Sequence, residues 1–306
     1  MWRGAAPPHA TQPGSILSIE PLAFFHVNPY NSAYMQLLKE CPALNSKALK
    51  SMVFISAGLL LLGWLLSTPP GLLGKADAIA YAVCHRIDLR SFHLGDRQLP
   101  LCARCTGMYL GAMLGLVYQW RLAPRRAGTP PKRVIAILAL LLAAFGVDGL
   151  NSYFHLFPIG PTLYEPSNLL RLLTGTGMGI VIASALYPAF NQTMWRNRSR
   201  EPALKGVSWL FLLLILAGLL DLLVLSGNPL ILYPMALISA GGVIVLLSMV
   251  YSMVWVMIFR VENRFSYFYQ LLLPLTGGFA LSLIQIGLFD LGRFLLTGTW
   301  DGFHIG

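Results

Sequence analysis

Charge is what this sequence has least of. Only 11% of its 306 residues are Asp, Glu, Lys or Arg, against about 25% in a soluble domain, so the chain is not composed to present itself to water. Cysteine is scarce too. Four in the whole chain are too few for a disulfide-stapled scaffold. No cleavable leader is expected either, because residues 1–46 are broken by proline, glycine and polar residues and hold no apolar core. The first long hydrophobic run is therefore expected to stay as a helix. No convincing internal repeat is present.

What fills the chain instead is hydrophobic: 56% of the residues, with a mean hydropathy of +0.64. Runs near the roughly 20 apolar residues that cross a hydrocarbon core fall at 48–67, 105–120, 133–150, 168–189, 206–225, 231–258 and 270–296. The expected fold is an all-α polytopic transmembrane helix bundle of about seven spans. Its expected parts are an N-terminal cytoplasmic arm at 1–46, a membrane domain with a Cys/His loop at 47–190, and C-terminal membrane helices at 191–306. Within the arm, residues 21–38 are compatible with a short interfacial helix, limited by Pro21 and Pro29.

The net charge of +10 does not indicate a nucleic-acid partner. Most of the basic residues sit in short loops between hydrophobic runs, where membrane topology alone places them. Lys39, Lys47 and Lys50 precede the first span, Arg121, Arg125, Arg126, Lys132 and Arg133 follow the second, Arg196, Arg198, Arg200 and Lys205 follow the fourth, and Arg260 and Arg264 follow the sixth. With seven alternating spans all of these share one side, the expected cytoplasmic one. Residues 68–104 break the pattern: they belong to the other side yet carry Lys75, Arg86, Arg90, Arg97 and Arg104. Either these residues serve a site, or the segment dips into the protein and is not a free loop.

That segment also holds three of the four cysteines, in CHRIDLRSFHLGDRQLPLCARC from Cys84 to Cys105. Cys102 and Cys105 are three apart, which at a helix start puts both thiols on one face, about 5–6 Å apart at Cβ. The helix N-terminus and Arg104 favour thiolate there. Cys84 and His85 complete a Cys3His set suited to tetrahedral zinc, with His93 as a reserve ligand. Two other readings use the same residues: a redox pair at Cys102 and Cys105 with Cys84 as relay, and small buried thiols that merely pack. Cys41, in the arm, is expected to be a bystander. The glycines at Gly107, Gly111 and Gly115 recur every four residues, a spacing that lets a neighbouring helix approach closely. Gly107 lies about 200° round the helix from Cys105, so the seam should face a partner helix and the thiols elsewhere.

Polar residues at the same ends of other spans should meet this cluster. Asp148, Asn151 and His155 share a face if the third span continues that far, and Glu165, Asn168 and Arg171 lead into the fourth. Asp221, Asp290 and Arg293 lie toward corresponding ends of the fifth and seventh. Ionisable groups within spans usually face the interior or a water-filled cavity, so a hydrated pocket roofed by the Cys/His loop is expected. Asn168 suits a helix cap equally well, and Asp290 and Arg293 suit a pair with each other. Arg86, Arg90, Arg97 and Arg104 are planar donors suited to phosphate or carboxylate. They point to an anionic lipid headgroup or an isoprenoid phosphate as partner, unless Asp88, Asp96, Glu165 and backbone carbonyls occupy them.

The stretch CHRIDLRSFHLGDRQLPLCARCTGMYLGAMLG at 84–115, with EPSNLLRLLTGTGMG at 165–179, resembles the prokaryotic predicted membrane proteins grouped as domain of unknown function 2085. The shared pattern is matched at Cys84, His85, Arg90, Ser91, Phe92, Leu99, Pro100, Cys102, Arg104, Cys105, Thr106 and Gly107. The resemblance covers roughly residues 75–180. It implies a multi-span protein of a prokaryotic plasma (inner) membrane, and no activity. On chemistry alone the expected function is a Cys/His metal site, with zinc as cofactor, at the outer face beside an arginine-rich pocket for an anionic substrate or lipid headgroup. The alternatives are a membrane thiol-disulfide oxidoreductase and a transporter for a metal or small anion; whether it is an enzyme is left open.

Overall fold

Helices form along the apolar runs and stop at the proline- and glycine-rich punctuation between them. A computed structural model describes residues 47–156 and 160–300; the arm at 1–46, with Cys41 and the interfacial segment at 21–38, lies outside the described residues. Eight α-helices follow in order: α1 (Lys47–Ser67), α2 (Leu72–Val83), α3 (Ala103–Leu122), α4 (Lys132–Leu156), α5 (Asn168–Met194), α6 (Val207–Leu225), α7 (Pro229–Ile258) and α8 (Leu272–Thr297). Two short strands, β1 (His93–Leu94) and β2 (Arg97–Gln98), form an antiparallel hairpin between α2 and α3. Two more, β3 (Arg126–Gly128) and β4 (Ser199–Pro202), pair in parallel. The protein is an all-α polytopic membrane bundle.

Six helices, all but α2 and α3, are long and apolar enough to cross a membrane by length and composition. The expected second span is α3. It has 20 residues, about 30 Å at 1.5 Å per residue, but is less apolar than the others. Its position explains the difference: Thr106, Gly107, Gly111, Gly115 and Gln119 are buried inside the bundle, so α3 faces protein where α1 and α6 face lipid. Helix α4 continues past the expected end at 150, which places Asp148, Asn151 and His155 on one helix. Helix α5 runs on through Pro188 to Met194. The added turn carries Asn191 and Gln192, whose amides donate to the Arg126 and Ala127 carbonyls at 2.8 and 3.0 Å.

The glycine seam of α3 meets a second small-residue row on α5. A methyl group added at Gly107 would strike the Leu172 carbonyl, at Gly111 the Thr176 carbonyl, and at Gly115 the Ala183 methyl at 2.7 Å. From the other side, a methyl at Gly175 would strike the Arg104 carbonyl, and one at Gly179 the Met108 carbonyl and, at 2.5 Å, the Ala112 nitrogen. The partners rise together along both helices, so α3 and α5 run parallel, as alternate spans must. Such backbone contact gives dispersion and weak Cα–H···O attraction that larger side chains would prevent.

Parallel packing gives the bundle two distinct ends. At one, β3 pairs with β4, the Arg196 amide donates to the Phe265 carbonyl at 2.9 Å, and Asn263 to Thr193 at 2.9 Å. The three basic loops expected on one side are thus knitted together. At the other end lies the segment that breaks the charge rule, and it does dip into the protein. Its hairpin turns on Gly95 (φ 62°) and packs Phe92, Leu94 and Leu99 against Leu110, Leu172, Val224 and Leu232. Helix α2 buries Ala76, Ile79 and Ala80 against Ala240, Val243 and Ile286.

Gly111→Ala is expected to cost about 1–3 kcal/mol of stability, as overpacking does, measured by thermal unfolding in detergent. Gly58→Ala, where α1 has open space, serves as the control and should leave the midpoint unchanged.

Candidate functional site

Helix α2 ends at Cys84, whose amide donates to the Ala80 carbonyl at 2.8 Å while its backbone turns extended. Arg293 of α8 holds this end, donating to the Tyr81 and Cys84 carbonyls at 2.8 and 2.7 Å and to the His85 carbonyl at 3.3 Å. Arg86 follows in the left-handed region (φ 53°), uncommon for a residue with a side chain. Two contacts hold it there: a salt bridge to Asp77 at 3.0 Å and a bond to the Trp300 carbonyl at 3.2 Å. This turn aims the Arg86 amide at the Cys84 sulfur, 3.5 Å away, and the Cys102 amide approaches the same sulfur at 3.4 Å.

Cys102 is the N-cap of α3 and Cys105 lies in its first turn. The sulfurs of Cys84, Cys102 and Cys105 all lie within 4.8 Å of one another. Hydrogen bonds from the Cys105 and Cys84 thiols hold Cys102 well below the ordinary thiol range, with Arg104 adding to the effect. Cys84 is pushed up to about 12, chiefly because its proton is held on Cys102, and further by burial. A metal ion placed among them replaces both shared protons. Tetrahedral zinc, at about 2.3 Å per Zn–S bond, sets sulfurs about 3.8 Å apart, within about 1 Å of the present arrangement.

His85, the expected fourth ligand, is exposed and stands outside the set of converging ligand atoms. Adjacent residues point to different sides of extended chain, so burial of Cys84 turns His85 away. His93 is taken by Asp88 at 2.8 Å. Three cysteines, without a histidine, converge among the described residues.

Beside the thiols opens a cavity of about 340 Å³, lined by Cys84, Cys102, Cys105, His85 and four arginines, Arg86, Arg90, Arg104 and Arg171. Arg104 reaches from the CARC turn to α4, where it pairs with the buried Asp148 and donates to Ser152 Oγ at 3.0 Å. Asp148 also accepts from Tyr164 at 2.9 Å and Thr174 at 3.2 Å, so its carboxylate is fully engaged. Asn151 ties the 161–167 loop down by bonding the Tyr164 carbonyl and the Leu163 amide. Asn168 donates to the Leu89 and Ser91 carbonyls at 3.4 Å and accepts from Arg171 at 2.9 Å; the cap of α5 is Ser167 instead. Arg90 donates to the Ser152 carbonyl at 3.1 Å. Neither Arg90 nor Arg171 has a carboxylate partner among the described residues. Burial, then the Arg104 charge, lowers the Arg90 pKa from its ordinary value.

The other expected residues stand elsewhere. Arg97 pairs with Asp77 at 2.6 Å outside the cavity, and His155 and Glu165 are exposed. Asp221 accepts from Thr176 at 2.6 Å between α6 and α5. Asp290 is buried toward Trp64 of α1 and makes no salt bridge with Arg293. The outer-end polar groups therefore serve several places, and α4 and α5 contribute to this cavity. Asp77 and Tyr164 are supports that sequence reading passed over, and Arg293, expected as a partner for Asp290, instead clamps the end of α2. Asp77 in an otherwise small and apolar helix stretch was the one available signal.

Asp148→Ala is expected to cost about 3 kcal/mol, because the partly buried Arg104 loses its counter-charge. Faster amide exchange at Leu163, as the 161–167 loop loosens, should accompany the fall in melting temperature. Glu165→Gln should change neither.

No solved structure matches this chain. The family model for Predicted membrane protein (DUF2085) matches residues 84–185, from the first cysteine of the cluster to the middle of α5. An uncharacterized protein of Methanocaldococcus jannaschii is 29% identical over 120 residues, covering 39% of this chain and 71% of the relative. Another, of Methanothermobacter thermautotrophicus, is 31% identical over 101 residues, covering 33% of this chain and 81% of the relative. The matched stretch holds all three clustered cysteines, the four cavity arginines and the interlocked α3–α5 pair, and on that shared core the chain belongs to the DUF2085 family of predicted membrane proteins.

Proposed function

We propose that this membrane protein holds a metal ion, with zinc the best fit, on Cys84, Cys102 and Cys105, and binds an anion in the adjoining arginine-lined cavity at the outer face of a prokaryotic plasma membrane. The observation that carries the reading is the convergence of three sulfurs from two separate elements at the edge of that cavity. Three thiolates suit zinc and leave one tetrahedral position for a non-protein ligand. When bound, such an ion supplies Lewis-acid polarisation of a coordinated oxygen.

The residues of the chain divide the remaining work. Arg90 and Arg171 offer guanidinium charge that no carboxylate among the described residues pairs with, and the planar fork matches phosphate or carboxylate oxygens. Arg104 is held in place by Asp148 and adds positive charge beside Cys102. A zinc ion with three thiolates carries a net charge of about −1, which the surrounding arginines favour. Asp148 and Asp221, which a transport path would use, are both occupied by hydrogen bonds, and this supports a binding site over a conduit.

Elemental analysis of detergent-purified protein is expected to give about one zinc per chain. Cys102→Ser/Cys105→Ser should lose it, and His85→Ala should keep it. Absence of metal together with an oxidised Cys102–Cys105 pair overturns the reading in favour of thiol-disulfide exchange.

A further inference from the structure

A second cavity backs onto the first. It measures about 480 Å³ and lies between α2 and α8, lined by Tyr81, Val83, Cys84, His85, Leu288, Phe289, Gly292, Arg293 and Leu296 among others. Val83, Cys84 and His85 line both cavities, so one turn of chain separates them. They differ in charge: four arginines line the first, and one, Arg293 at the Cys84 end, lines the second. Its α8 side continues into residues that face outward, Leu288 65%, Phe289 55% and Leu296 89% exposed, on a helix apolar enough to cross a membrane. In a bilayer that side meets lipid chains, so the cleft opens to the membrane while the arginine cavity lies beside the thiols.

A chamber lined by four arginines, next to a cleft with a lipid-facing side across the Val83–His85 turn, is complementary to one kind of molecule. Its head is an anion that arginine forks can grip, and its tail is a hydrocarbon that gains by leaving water. Each cavity falls within the range of about 300–1,000 Å³ typical of small-molecule sites. A free inorganic anion uses only the first cavity and leaves the second without a role.

We propose that the anion recognised by Arg90 and Arg171 is the headgroup of a phosphate-headed lipid whose chain lies in the α2–α8 cleft, entering from the bilayer between those helices. This deepens the anion-site reading and rests on it. Gly292, which lines the cleft, provides a test, because a methyl group added there meets nothing within 4 Å. Gly292→Leu therefore starts from open space and takes up room in the cleft.

The probes are inorganic phosphate, dodecyl phosphate and a neutral dodecyl maltoside, each titrated against zinc-loaded protein in phosphatidylcholine nanodiscs. Dodecyl phosphate is expected to bind wild type at least about tenfold more tightly than inorganic phosphate, since buried methylenes add affinity. Arg90→Gln/Arg171→Gln should weaken both phosphates. Gly292→Leu should remove the advantage of the chain and leave inorganic phosphate binding unchanged. If inorganic phosphate binds and the chain adds nothing, or if Gly292→Leu changes nothing, the lipid proposal is overturned while the anion site stands. Equal binding of dodecyl maltoside also overturns it. If neither phosphate binds wild type, the anion reading fails first and the lipid proposal with it.

Discussion

The contact between the backbones of α3 and α5 is the constraint on which the rest of the molecule depends. At its upper end Gly175 lies directly against the Arg104 carbonyl, so the seam begins at the CARC turn. Because no side chain intervenes, the height and rotation of α3 against α5 are set by peptide groups, which cannot adjust by changing rotamer. That fixes Cys102, Cys105 and Arg104 on one helix relative to Arg171 and Thr174 on the other. Every distance within the site inherits the tightness of this pair.

Around that pair the site is closed by charge-assisted bonds, each between elements distant in sequence. Arg104 joins α3 to α4 through Asp148, Asp77 joins α2 to Arg86 and Arg97, and Arg293 joins α8 to the end of α2. These pairs account for three of the four arginines in the segment that violates the expected charge distribution. Among the described residues, Arg90 of that segment and Arg171 of α5 are left without a carboxylate partner. A loop that looks misplaced by topology is therefore a folded roof, held by its own counter-charges, with two cationic groups spared.

Much of this was legible in the sequence because it is local or periodic. Apolar run lengths mark the helices, four-residue glycine spacing marks the seam, and three cysteines in one short segment mark the site. The resemblance to the DUF2085 family draws on the same segment. What could not be read was the pairing of remote elements. Nothing in the sequence says that Gly175 and Gly179, not some other small-residue row, face Gly107 and Gly111, or that Asp77 takes Arg86. The expectation that His85 is a ligand follows from residue type alone. The extended turn after Cys84 decides otherwise, and its direction is set by Arg293, 209 residues away. Helix α3 was expected as one span among equals; its lower apolarity is the mark of a helix surrounded by protein.

The Arg293 clamp has a consequence for how the protein is made. Ribosomes add about 5–20 residues per second, so the Cys84 turn leaves the ribosome about 10–40 s before the guanidinium that will hold it. For that interval the carbonyls at the end of α2 lack their donor, and Arg86 lacks the Trp300 carbonyl. The thiols are thus born into an unfinished pocket. Completion of the site is tied to insertion of α8, so that only a chain synthesised past Trp300 presents the end of α2 in its final arrangement.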